Sequence, residues 1–526
     1  MEAERTTMKQ FMKGASLLTL ATLIVKILSA IYRVPYQNMV GDEGFYVYQQ
    51  VYPFIGIIVI WTSYGVAVAL SKMLAERVEE ERRVVRQIAL RLLIAGSIVF
   101  WVILQLGAPL LAQWMGDLQL VPLLRNVSWL ALLIAPIALM KGELQADGRM
   151  DVIAKSNVIE QFVRVAIVIA SAALVTTSGL SIYDAGKYAV LGSVAGSLVA
   201  TYTLWKVYRL SPKQQPSISY GAFTGVRREL VTLSISLSAS SLILLLFQLV
   251  DSFTVFQALS VHETVQESMR LKGIYDRGQP FVQLGILVAT SLSLAIVPMI
   301  AHYEKQRRYR STESMTQLTI RIAVVFGVAA TVGLWLVLPP LNVLLFEHNE
   351  GVLALRIFIL QIVLLSVIFP LTAILQGKGY VGYPIMIFVI GVVLKSVITT
   401  PLTIQYGIVG ASLSSVIGLT LITICILIVF RRHVVRGVLG KQYVSILSSA
   451  TLFMVVTVQL TLSLLPVVTS HERLQAMVET FASVGVGGAS FLFVVLRYRM
   501  IREKEWYMVP FGKQLAKLQL MIGKKR

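Results

Sequence analysis

Fourteen apolar runs, each long enough to cross a bilayer, constrain this chain more than any other feature. A span needs about 20 mostly apolar residues. Such runs cover 14–33, 46–70, 88–111, 122–145, 155–177, 186–205, 229–257, 280–301, 317–344, 352–376, 381–403, 407–430, 443–466 and 474–496. Only helices or closed barrels satisfy the backbone inside hydrocarbon, and segments of this length are helices. The expected fold is therefore all-α and polytopic, with about 14 transmembrane helices. The 526 residues are 56% hydrophobic and 14% charged, with mean hydropathy +0.75, which excludes an ordinary soluble domain.

The net charge of +20 has a membrane explanation rather than a nucleic-acid one. Most Lys and Arg fall in alternate loops on the side of the N-terminus, in clusters such as Arg82-Arg83, Arg227-Arg228, Arg307-Arg308 and Arg431-Arg432. By the positive-inside rule both termini are expected in the cytoplasm. No cleavable leader is expected, so the first span should remain as an anchor. The only cysteine, Cys425, lies in an apolar run, and the five histidines have no ligand spacing. No metal or other cofactor is therefore expected. There is no G-x-x-x-x-G-K-[ST] loop, so cell energy must enter through an ion gradient, the membrane potential or cargo flow.

The chain repeats itself. Tyr48 to Phe54 matches Tyr275 to Phe281. At one further constant offset, Leu144-Gln145-Ala146-Asp147-Gly148 matches Leu375-Gln376-Gly377-Lys378-Gly379, Arg125 falls on Arg356, and Arg164 falls on Lys395. The unit is about six spans, and an even number makes the copies parallel, related by an axis along the membrane normal. The expected organisation is an N-lobe at 1–210, a cytoplasmic linker at 211–226, and a C-lobe at 227–430. Spans 13 and 14 occupy 431–497, and a basic cytoplasmic tail occupies 498–526. In that tail Phe511, Leu515, Leu518 and Ile522 recur at helical spacing, the pattern of an amphipathic helix on the inner leaflet. The longest outer loop, about 258–279, has room for a small helix but not for a domain.

The polar residues inside the spans locate a site. In span 1, Thr19, Thr22, Lys26, Ser29 and Arg33 step by three and four residues, so they share one face. A Lys or Arg at the bilayer centre costs at least roughly 2.5 kcal/mol, so this cationic stripe should face a wet cavity or a partner helix. A cationic cavity suits an anionic cargo. Lys26 and Arg33 lead the contacts, Arg as a bidentate fork and Lys as a point charge; Ser29, Gln49, Gln50, Arg277 and Gln283 join them. The alternatives are that Arg33 snorkels to the outer interface and that Lys26 pairs with Asp251 or another acid. Asp42 and Glu43, at the first outer turn, and Asp251 and Asp276 are gating or coupling candidates, with the ion open between a proton and sodium. Asp276 and Arg277 are expected to begin span 8. Glu160 and Arg164, at i and i+4 with the acid first, read as a structural ion pair.

These residues carry a resemblance. Lys26-Ile27-Leu28-Ser29-Ala30-Ile31-Tyr32-Arg33-Val34-Pro35-Tyr36-Gln37-Asn38, with Gly41-Asp42 and Gly44-Phe45-Tyr46-Val47-Tyr48-Gln49-Gln50-Val51-Tyr52-Pro53, resembles the stage V sporulation protein B group, and within it the YabM-like members. Lys141-Gly142-Glu143-Leu144-Gln145, Asn157 to Val165, Ile374 to Gly379 and Gly407 to Ala411 extend the likeness to about residue 430. The group belongs to the multidrug/oligosaccharidyl-lipid/polysaccharide (MOP) exporter superfamily and is similar to the MurJ-type lipid II flippases. The resemblance implies a two-lobed flippase with a cationic cavity, in a bacterial cytoplasmic membrane. Its cargo would be an undecaprenyl-pyrophosphate-linked saccharide moved from inner to outer leaflet, with cell-wall synthesis proteins as partners. Lys26, Arg33, Asp42 and Arg277 match the layout of cavity cations and outer-loop acid in those flippases. Gln49 and Gln50 stand in span 2 where a basic residue is common. Glu143 and Ala146 replace an aromatic and a glycine, so the glycan itself is left open. A drug/cation antiporter of the same superfamily is the alternative, kept in play by Asp251. A membrane enzyme acting on lipid-linked glycans would need a reachable acid/base pair, which only His262, Glu263 and Glu267 offer.

Overall fold

A computed structural model describes residues 17–18, 20–209, 224–291, 300, 303, 306–433, 440–466, 471–501, 503, 506 and 512–522. Every regular element among them is a helix. In chain order these are α1 (Leu20–Ala75), α2 (Glu79–Met115), α3 (Leu118–Ala146), α4 (Met150–Ser178), α5 (Ile182–Tyr208), α6 (Thr224–Leu259), α7 (Val265–Asp276) and α8 (Gly278–Gly285). There follow α9 (Tyr309–Phe346), α10 (Val352–Gly377), α11 (Gly382–His433), α12 (Lys441–Leu464), α13 (Glu472–Arg497) and α14 (Gly512–Ile522). Eleven are long and apolar enough to cross a membrane.

Two of the eleven are too long for one crossing. At 1.5 Å per residue the 56 residues of α1 would reach about 84 Å, against a hydrocarbon core of about 30 Å. The break is Gly41, with φ 73° and ψ 178°. Tyr32 Oη and Tyr48 Oη, 16 residues apart, lie 3.1 Å from each other, whereas a straight helix would separate those positions by about 24 Å. The chain therefore folds back at one residue. The expected loop between residues 33 and 46 does not exist, because Tyr36 to Val40 continue the first helix and Asp42 begins the second. In α11, Gly407 (φ 58°, ψ −141°) makes the matching break between the expected spans 381–403 and 407–430. The Gly41 backbone is nearly inaccessible to other residues, while a Cβ there would meet nothing within 4 Å. Gly41→Ala should therefore cost about 1–3 kcal/mol from backbone strain alone, read as a lower melting temperature of the purified protein.

Two compact units emerge, Met1–Asp276 and Arg277–Arg526. α6 thus packs with the first unit, and of the expected linker at 211–226 only 224–226, already helical, are described. Span 8 is described from Gly278 to residue 291; Ser293 and the rest of 292–299 lie outside the described residues, as do Thr19 and Phe511. The helix expected in the outer loop is α7.

In the first unit, α1 and α3 are the inner elements, with 61% and 67% of their most apolar stretch buried, against 22% for α2, which turns Leu106 and Trp114 outward. Apolar residues facing outward are what lipid contact requires. The core centres on Tyr36, Phe45, Tyr46, Val47, Tyr48 and Val51 of the fold-back. Tyr46 packs on Phe256 of α6 at 4.9 Å between ring centroids. α7 presses on the same turn so closely that a Cβ at Gly273 would lie 2.1 Å from the Asp42 carbonyl oxygen.

Candidate functional site

The fold-back gives Arg33 its surroundings. Its side chain is fully buried in the first unit, and none of its three nitrogens has a hydrogen-bond partner among the described residues. The guanidinium carbon stands 4.5 Å from the centroid of Tyr52. Tyr48 links the group, 5.4 Å from Tyr36 and 6.0 Å from Tyr52 between ring centroids. The cation thus rests on the Tyr52 ring, with no acid paired to it among the described residues, and Arg33 does not snorkel to the surface.

The rest of the stripe is less exceptional. Lys26 is half-buried. Thr22 and Ser29 donate their hydroxyls back to Leu18 and Val25 carbonyls of their own helix, at 2.8 and 2.7 Å. Gln49 is buried, its Oε1 without a hydrogen-bond partner among the described residues, whereas Gln50 ties α1 to α6 through Nε2 to the Ser252 carbonyl at 3.1 Å. Asp42 accepts a hydrogen bond from Gln37, and it and Glu43 are half-buried at the start of the second helix.

Asp251 is buried on α6 and accepts from Tyr275 Oη of α7 at 2.9 Å. α1, α6 and α7 therefore share a polar interior. Asp276 ends α7 rather than beginning span 8, and both its oxygens accept from Lys272 Nζ, at 2.6 and 2.7 Å. Lys272, also buried, is a partner that the sequence reading missed, although its i, i+4 spacing was visible. Burial lifts the Asp276 carboxyl from 3.8 to about 6 against the pull of Lys272. The folded protein then binds a proton that the unfolded chain lacks between those values, so this group adds stability as pH falls from about 7 towards 4. The melting temperature of wild type relative to Asp276→Asn should accordingly rise on acidification, beginning near pH 6 and levelling off near pH 4.

A second polar cluster lies where α1, α3, α4 and α5 meet. Arg164 Nη2 donates to Glu160 Oε1 at 3.2 Å, and Ser197 Oγ donates to the same oxygen at 2.9 Å. Lys141 Nζ lies 3.9 Å from Glu160 Oε2 and donates to Ser63 Oγ at 2.9 Å. One buried acid thus serves two buried cations. Lys141 entered the sequence reading only as part of a motif.

Arg277 and Gln283 belong to the second unit. Arg277 is 1% exposed, donates from Nη2 to His348 Nε2 at 2.8 Å, and lies 4.8 Å from the Phe346 centroid. Gln283 is half-buried on α8. No group of three metal-ligating side chains occurs among the described residues.

Long apolar helices around buried cations describe a multi-pass membrane protein, and its fold is that of a solved structure. The structure of the lipid II flippase MurJ in an inward closed conformation superposes with a TM-score of 0.67 at 14% identity, covering 92% of this chain and 99% of that one. Residues 11–304 match the family described as Polysaccharide biosynthesis protein, and residues 273–401 match MatE. The chain belongs to the polysaccharide biosynthesis protein family. It is 36% identical over 509 residues to the uncharacterized membrane protein YabM of Bacillus subtilis (strain 168), covering 96% of each chain. It is 25% identical over 430 residues to stage V sporulation protein B of the same organism, covering 79% of this chain and 82% of that one. A solved multidrug resistance MATE family transporter of the MOP superfamily, in an inward-facing conformation, shares the fold with a TM-score of 0.59 at 16% identity, covering 79% of this chain and 94% of that one.

Proposed function

We propose that this protein moves an undecaprenyl-pyrophosphate-linked saccharide, lipid II or a related glycan, from the inner to the outer leaflet of a bacterial cytoplasmic membrane. Both termini are cytoplasmic, and access alternates between two lobes. The observation that carries this reading is Arg33, a buried guanidinium that meets no acid and makes no hydrogen bond of normal geometry among the described residues. Such a group is costly to keep unless an anion takes its hydrogen bonds during the working cycle. A pyrophosphate suits it, since Arg offers a planar fork to phosphate oxygens. Lys26 is the second contact, two turns away on the same helix. The test is complementation of a strain depleted of its lipid II flippases, with outer-leaflet lipid II read by an impermeant probe. Restored exposure supports lipid II as cargo. A well-expressed wild type that exposes none removes lipid II and directs the same assay to other polyprenyl-linked glycans.

The MatE match over 273–401 and the buried Asp251 favour a second reading, an organic-cation antiporter. Drug efflux in a pump-deficient host separates the two readings, because the flippase predicts no change in drug tolerance.

A further inference from the structure

The second unit holds a cavity of about 350 Å³ at the end where α12 begins and α13 finishes. Its polar wall comprises Arg321, Gln442, Tyr443, Tyr498 and Arg499, with Glu503 as the acid. Ile446, Met500 and Leu520 form an apolar wall. We infer that this cavity binds the phosphate ester headgroup of an anionic lipid at the membrane surface.

Three features converge there. First, α12 starts at Gly440 with no side-chain cap, and its backbone bonding begins only with Val444 N–H to the Gly440 carbonyl at 3.2 Å. Among the described residues the amide groups of the first turn, beside Gln442 and Tyr443, meet no acceptor, and such a helix start favours an anion. Second, two arginines flank that helix start. Arg321 lies with its guanidinium carbon 5.9 Å from the Tyr443 centroid, and Tyr443 Oη donates to the Arg321 carbonyl at 2.6 Å. Arg499, half-buried, lines the same cavity, and its buried Nε has no hydrogen-bond partner among the described residues. Two arginines against one glutamate leave the cavity cationic.

Third, the lid is fixed in place and amphipathic. Trp506, fully buried, donates Nε1 to Gln519 Oε1 at 3.1 Å, and Gln519 Nε2 donates to the Ile501 carbonyl at 2.7 Å. This clamp fixes α14, which buries Gly512, Ala516 and Gln519 and lines the cavity with Gln519 and Leu520, while Leu518 and Met521 stay exposed. An occupant must satisfy charge on one side and meet apolar surface on the other, as a lipid phosphate with the start of its acyl chains does. Inorganic phosphate shares the charged half of that chemistry.

The test uses the purified full-length protein and native mass spectrometry after incubation with phosphatidylglycerol or phosphatidylcholine. Wild type should retain phosphatidylglycerol about tenfold more strongly, and Arg499→Gln and Arg321→Gln should each remove about that factor, the worth of one charged hydrogen bond. Arg499→Lys should keep most of it, and it serves as the readout if Arg499→Gln does not fold. Displacement of the lipid by millimolar inorganic phosphate supports phosphate chemistry with a soluble source. Resistance to displacement supports the lipid as the source. Equal retention of both lipids by wild type, or retention unchanged in both Gln variants, overturns the assignment.

Discussion

Arg33→Ala should abolish transport while leaving the folded protein as stable as wild type or more stable. The two halves of that result have one cause. In the resting protein the guanidinium is buried over Tyr52 with no hydrogen-bond acceptor among the described residues. Contact with the ring returns about 2 kcal/mol when desolvated, less than the several kcal/mol of dehydrating an ion. Removing the side chain thus relieves a cost to the fold and deletes an anion contact. A buried charged hydrogen bond lost to the cargo is worth about 2–5 kcal/mol, so lipid II exposure in the depleted strain should fall by at least about thirtyfold. Arg33→Lys keeps charge but loses the planar fork and should fall between. A normal exposure signal in Arg33→Ala, at wild-type membrane levels, would remove Arg33 from the cargo path.

Glu160→Ala should have the opposite character. Glu160 is the one acid shared by Arg164 and Lys141 in the heart of the first unit. Deleting it strands two cations, and breaking a buried pair from one side costs about 3–5 kcal/mol, a large part of an ordinary folding free energy. Membrane levels of the variant should drop several-fold and its melting temperature should fall. Lys141→Met leaves the Glu160–Arg164 pair intact and neutral, so it should be nearly silent in the same assays. If the lysine variant proved the more damaging of the two, the cluster would have to be read as centred on Lys141 and Ser63.

Hydropathy made the helical architecture legible, because lipid contact selects apolar residues over whole spans. The turn between the first two helices was not legible. The expected spans left residues 34–45 as a turn, but the helix carries on through Pro35: Tyr32 keeps helical angles (φ −63°, ψ −22°) and its carbonyl accepts from Tyr36 N–H at 3.1 Å. The residue that actually breaks the helix, Gly41, looks like any other glycine until its φ is known. The candidate cations divide the same way. The three-four spacing picked out Arg33, but its support by Tyr52 needed the fold-back. Lys141 stood at what looked like the inner end of a span, and only the packing of α1, α4 and α5 around it put it inside.

The one-residue connection at Gly41 leaves no slack between the first two helices. Any tilt of the strand of chain carrying Arg33 must be passed at once to the one carrying Tyr48 and Tyr52, and through the Gly273 contact to α7. The pair then works as a single lever with a fixed elbow, so the cation and the rings that support it travel together.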